Sequence, residues 1–225
     1  MRIPSSRQAG SFRKRLLAWS KKRGRSYHWR HPGTALYEQV ISELLLQRTR
    51  ADAVAAHLSA FLSVAPGWNE LAGIREDDLA RVLRPLGLWQ KRASSLRRLA
   101  AAVNSAGGVL PVTRAELERL PGVGQYMASA ILVIQGIRHA PYLDVNMARV
   151  LERHFGPRRL ADIRYDPELQ RIAHRLTNSR QCKLVNWAIL DLAALVCRVG
   201  KPNCSACPLK RSCDYYRATA REAGW

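Results

Sequence analysis

Apolar positions recur at helical spacing along this chain. Tyr37, Ile41, Leu44 and Leu45 fall at i, i+4, i+7 and i+8, the stripe that lets one helix face enter a core. Leu96, Leu99 and Val103 repeat the pattern at i, i+3 and i+7 and predict another amphipathic helix after Pro85-Leu86-Gly87. Thr113 and Glu116 form a T-x-x-E capping box, the start signal of a third. Two more helices are predicted from Gln125 to about Gln135 and from Asn146 to His154, the second behind Asp144. No segment alternates apolar and polar residues with the β-branched enrichment of a strand. Proline and glycine fall between the helices, at Pro66-Gly67, Gly107-Gly108, Pro121-Gly122 and Gly156-Pro157. The fold class expected is all-α, without internal repeats or low-complexity tracts.

At 225 residues and 47% hydrophobic, the chain supports one large domain or two small ones with real cores. Charge changes the picture more. Lys and Arg number 37 against 17 Asp and Glu, a formal net charge of +20. Such an excess calls for a polyanionic partner, with nucleic acid the leading candidate. A membrane surface is the other outlet. The stretch from Arg13 to Arg25 has the basic amphipathic character for it, though Trp19 and the leucines there suit a docked helix equally. No run of 18 apolar residues exists, so no transmembrane helix is expected.

Cys197, Cys204, Cys207 and Cys213 are spaced C-x6-C-x2-C-x5-C. Four thiols that close usually hold a metal centre, either zinc or a [4Fe–4S] cluster. Paired disulfides suit a secreted protein, and no basic segment followed by a long apolar run marks this one as secreted. A paired-knuckle zinc site needs a second C-x2-C, and only Cys204 and Cys207 make one. Cys182 is expected to be a buried small residue.

Leu120-Pro121-Gly122-Val123-Gly124 lies between a short helix and a longer one, as the turn of a helix-hairpin-helix does. Gly122 and Gly124 leave room for a phosphate to approach the backbone, and the following helix offers its free N–H groups and the positive end of its dipole. Such a hairpin grips the DNA backbone without reading sequence. Asp144 stands at a helix start, where it serves as an N-cap and where the dipole favours its anionic form.

The hairpin, Asp144 in Leu143-Asp144-Val145-Asn146, and the four-cysteine loop together resemble the endonuclease III and MutY superfamily of DNA glycosylases, from about Phe12 to Tyr216. The resemblance implies a six-helix barrel with the helix-hairpin-helix over residues 33–140. It implies a second, discontinuous helical domain from residues 1–32 and 141–225, carrying a [4Fe–4S] cluster on Cys197, Cys204, Cys207 and Cys213. DNA would lie in the cleft between the two. Asp144 takes the place of the catalytic aspartate. Tyr126 stands where the strand-cleaving members carry a Schiff-base lysine, so base removal without strand cleavage is implied. Glu43, in Ser42-Glu43-Leu44-Leu45-Leu46-Gln47-Arg48-Thr49, matches a glutamate of the base pocket. By helical periodicity it shares a face with Gln39, Gln47 and Arg50. Gln47 matches an inserting glutamine and Leu88 a wedge leucine, while Arg48 is suited to reading an orphaned guanine. Arg198 and Lys201, in the cysteine loop, would contact phosphates.

Within that superfamily, the tyrosine after Gly-Val-Gly, the Gly-Leu-x-x-x-Arg-Ala segment and the Cys213-Asp214-Tyr215-Tyr216 ending resemble the thymine–guanine mismatch glycosylases most closely. The expected partner is mismatched double-stranded DNA. The protein would act as a monomer, at no membrane, in a prokaryotic cytoplasm with the nucleoid. The alternatives are an adenine glycosylase without the further C-terminal domain of its class, and a DNA-binding module that has lost catalysis.

Overall fold

The structure is a computed structural model that describes residues 1–222. Among these residues there is no strand. The regular elements are twelve α-helices and four short 3-10 turns. The chain divides into two compact units, one of residues 26–137 and one of residues 1–25 with 138–222. The boundaries therefore fall at 25/26 and 137/138 rather than at 32/33 and 140/141. The first moves because Tyr27 and Trp29, stacked with ring centroids 4.6 Å apart, belong to the core of the central unit.

The central unit contains α2 (Leu36–Leu46), α3 (Ala51–Val64), α4 (Trp68–Gly73), α5 (Glu76–Leu83), α6 (Trp89–Ser105), α7 (Arg114–Leu117) and α8 (Gln125–Ile134). Six of these run six residues or more, and the four-residue α7, capped by Thr113, is the short helix before the glycine hairpin. The sequence stripes are its core. Ile41, Leu45 and Val103 are fully buried and Leu96 and Leu99 nearly so. Tyr37 and Leu44 pack at the margin. Removing one such side chain, as in Leu45→Ala, costs about 2–5 kcal/mol. At α7, Thr113 caps the Glu116 amide at 3.3 Å, but the glutamate takes the threonine hydroxyl at 2.6 Å instead of reaching back to the N-cap amide.

The other unit contains α1 (Ser6–Arg23), α9 (Val145–Phe155), α10 (Pro167–Thr177), α11 (Cys182–Leu195) and α12 (Asp214–Glu222). The basic N-terminal segment is a docked helix: α1 packs on α10 and α11 and buries Ala9, Phe12 and Leu16. It starts with a complete capping box between Ser5 and Gln8. Cys182 is buried, near the Ala140 carbonyl. Asp191, 1% exposed, pairs with Arg25 at 2.7 Å. No helix among the described residues is long and apolar enough to cross a membrane.

Candidate functional site

The first cluster lies in the central unit, where α2 packs against α8. Glu43 is only 3% exposed, which a surface glutamate would not be. The contact that accounts for it comes from α8, where the Tyr126 hydroxyl donates to Glu43 Oε2 at 2.9 Å. A buried carboxylate without such donors would carry a large desolvation cost. Of the residues expected to share its helical face, Gln39 lies on α2, but Gln47 and Arg50 fall beyond its end. α2 ends at Leu46, Gln47 caps its C-terminus, and Arg50 already leads into α3.

Gln47 and Arg48 instead form an exposed turn. Arg48 has φ +59° and Leu88, 52% exposed, has φ +51°. Among the described residues these are the two non-glycine positions in the left-handed region, a conformation that costs about 1–2 kcal/mol each. Both sit in the two segments expected to enter DNA.

The hairpin precedes α8. Gly122 has φ +78°, and a Cβ there would come within 2.7 Å of Ser95 Oγ, so this turn requires glycine. Gly124 is extended, and a Cβ on it would meet only open space. Its lack of a side chain serves approach from outside, not packing within. No side chain caps the first turn of α8, so its backbone N–H groups are left for an anion.

The second cluster lies in the other unit, on α9. Asp144 is its N-cap. Oδ1 accepts from the Asn146 and Met147 amides at 3.0 and 2.7 Å, and Oδ2 accepts from the Asn146 side chain at 2.7 Å. Burial pushes the carboxyl above its usual range, and these bonds and the Arg149 charge pull it only part of the way back. The helix start was expected to favour the anion; desolvation outweighs it.

Two arginines one turn apart tie α9 to the cysteine loop. Arg149 donates to Asn146 Oδ1 and to the Cys197 and Ala193 carbonyls at 2.9–3.1 Å. Arg153 donates to Cys197 Sγ at 3.4 Å and to the Arg198 and Gly200 carbonyls. Sequence reading missed both arginines; their spacing is legible, but their partners on the cysteine loop lie more than 40 residues away. Arg198 and Lys201 are exposed on that loop.

Cys197, Cys204, Cys207 and Cys213 line one small pocket with Val196, Pro202 and Tyr216. All four are free thiols. Burial and the three neighbouring sulfurs push Cys207 up to about 11. Arg153 and Lys210 also line this pocket, and four sulfurs that repel one another's thiolates there fit a centre whose positive charge holds them deprotonated. Among the described residues, no group of three or more His, Cys, Asp or Glu is placed to hold a metal ion as the side chains stand.

Three kinds of likeness bear on these clusters. A thymine-DNA glycosylase of Aeropyrum pernix is 34% identical over 92% of this chain and 94% of its own length. A thymine/uracil-DNA glycosylase of Pyrobaculum aerophilum is 32% identical over 97% of each. An adenine DNA glycosylase of Buchnera aphidicola is 28% identical over 90% of this chain but 58% of its own length. The solved structure of a thermostable thymine-DNA glycosylase superposes with a TM-score of 0.85 at 28% identity, covering 93% of this chain and 97% of that one. Residues 41–180, which include Glu43 on α2 and the N-cap of α9, match a family of base excision repair proteins. A glycine hairpin opening α8 and an aspartate opening α9 thus stand inside the matched region, and the chain belongs to the HhH-GPD superfamily of base excision DNA repair proteins.

Proposed function

We propose that this protein is a monofunctional DNA glycosylase, acting as a monomer, that removes thymine or uracil mispaired with guanine and leaves an abasic site. The observation that carries the reading is the hydrogen bond from Tyr126 to the buried carboxylate of Glu43. A phenol at position 126 supplies no amine for a Schiff base, so the glycosidic bond is broken by hydrolysis. The thymine/uracil class follows the relatives matched along nearly their whole length at 30–34% identity.

The chemistry follows from the side chains. The backbone of Gly122–Gly124 and the free amides of α8 hold a phosphate, with Arg198 and Lys201 adding contacts. Gln47 and Leu88 fill the gap left by the flipped nucleotide, and Arg48 pairs with the orphaned guanine. A mismatched pair lowers the flipping cost by up to a few kcal/mol, which is part of the selectivity. Glu43, fixed by Tyr126, accepts a hydrogen bond from the flipped pyrimidine. Asp144 stabilises the oxocarbenium-like sugar as the base departs, and water completes hydrolysis. Cys197, Cys204, Cys207 and Cys213 would hold a [4Fe–4S] cluster. Bound there, it would anchor the loop bearing Arg198 and Lys201, leaving the bond breaking to Asp144 and Glu43.

The test is an excision assay on duplexes holding T·G, U·G, A·G, A opposite oxidised guanine, and a damaged pyrimidine. Preferential release of thymine or uracil opposite guanine is expected, without strand scission. Release of adenine alone would replace this reading with the adenine class, and binding without release would reduce the protein to a DNA-binding module. Tyr126→Lys is expected to gain a borohydride-trappable adduct. A purified protein with no absorbance near about 400 nm would exclude the cluster.

A further inference from the structure

The geometry points to Arg92 as the residue that positions the DNA-reading turn and thereby sets mismatch selectivity, an inference that rests on the glycosylase reading. Arg92 lies one turn into α6, on the segment that begins at Leu88. Its guanidinium reaches across to α2 and donates to the Leu45 carbonyl at 3.0 Å, the Gln47 carbonyl at 2.5 Å and Thr49 Oγ1 at 2.6 Å. The Thr49 hydroxyl in turn donates to the Leu86 carbonyl at 3.2 Å, two residues before Leu88. Arg92 and Thr49 therefore lock the Gln47–Thr49 turn to the Leu86–Leu88 turn from both directions.

Each turn holds one left-handed non-glycine residue, Arg48 and Leu88. Such a conformation relaxes unless its surroundings hold it. Left alone, the last carbonyls of α2 would look for water, and the turn after them would be free to unwind. A guanidinium offers a planar fork for several acceptors at once, which an ammonium does not. Burial lowers the Arg92 pKa from its usual value, and these three hydrogen bonds all go to neutral oxygens. Its charge is spent on backbone oxygens at a helix C-terminus. Arg92 itself need not touch DNA.

The experiment compares wild type with Arg92→Lys, Arg92→Ala and Thr49→Val. Base flipping is read by 2-aminopurine fluorescence beside the mismatch, and affinity is measured for fully paired duplex. Arg92→Lys and Arg92→Ala are expected to lose at least tenfold in kcat/KM on T·G duplex, together with most of the fluorescence rise. Their affinity for paired duplex should stay within about twofold, because the hairpin phosphate grip is untouched. Thr49→Val keeps volume and tests the same lock where an Arg92 variant does not fold; a smaller loss is expected. Wild-type fluorescence and selectivity in folded Arg92→Ala or Thr49→Val would overturn the proposal, as would an equal fall in paired-duplex affinity. A wild-type protein that neither flips nor excises would instead refute the glycosylase reading itself.

Discussion

Two aspartates in the same unit do the same structural job with opposite electrostatic results. Asp144 opens α9 and Asp166 opens α10. Asp166 is fully buried, yet both its oxygens accept main-chain amides: Leu169 at 2.8 Å, Arg159 at 2.7 Å and Leu160 at 2.9 Å. Burial raises its pKa, but those amides win and hold it below the usual carboxylate range. Asp144 has two main-chain amides on Oδ1, while Oδ2 is held by the side chain of Asn146. There burial wins, and the pKa is raised. A cap built for stability has its charge fully answered by immobile donors. Asp144, to which the proposed function gives the charge developing on the sugar, keeps one oxygen on a side-chain donor that is able to move.

The largest test of that contrast is Asp144→Asn. It should cut single-turnover excision by about a thousandfold or more while DNA binding persists. Its melting temperature should scarcely change. Asparagine is as good an N-cap as aspartate, and the Asn146 amide is free to flip its oxygen toward the new NH2.

Acid unfolding will sharpen the comparison only after His154 is accounted for. This residue, near the end of α9 and 5% exposed, is pushed down to about 4 by burial. Its unfolded pKa is about 6.5, so the unfolded chain takes up the proton first as pH falls between the two values. Up to about 3 kcal/mol should be lost over that window. His154→Leu should remove that slope in pH-dependent urea melts.

Asp166→Asn is the counterpart of the first substitution and should give the reverse result. Its new NH2 would face the fixed Arg159 and Leu160 amides, so stability should fall by about 1–2 kcal/mol in chemical denaturation. Turnover per folded molecule should hold. The smallest effect is in pH alone. With its folded pKa lowered, Asp166 contributes stability that is present above about pH 3.9 and lost as pH falls through the folded value. Asp144, raised, gives no such loss as pH falls; its ionised form is the one that costs stability. The acid limb of the excision rate should therefore lie above about pH 3.9, and Asp166→Asn should not move it.

Much of this was legible in the sequence. The stripe through Ile41 and Leu45 became a buried face, and Gly122 sits where φ is positive. Cys197, Cys204, Cys207 and Cys213 gather round one pocket. The capping box between Ser5 and Gln8 was readable but overlooked. The face of Glu43 was misread, because periodicity carries α2 through to Arg50 and nothing local announces a stop at Leu46.

Local spacing by itself determined the helices, the glycine hairpin, the Asp144 cap and the thiol cluster, because each depends on residues within a few turns of one another. Tertiary structure alone decided that Tyr126 meets Glu43, that Arg92 locks two left-handed turns, and that Arg149 and Arg153 join α9 to the cysteine loop. It also decided that Asp144 and Asp166, both helix N-caps in the structure, have their pKa values shifted in opposite directions. The donors to both carboxylates lie within seven residues of them, but how far the packed chain takes each carboxylate out of water is not written in the residues beside it.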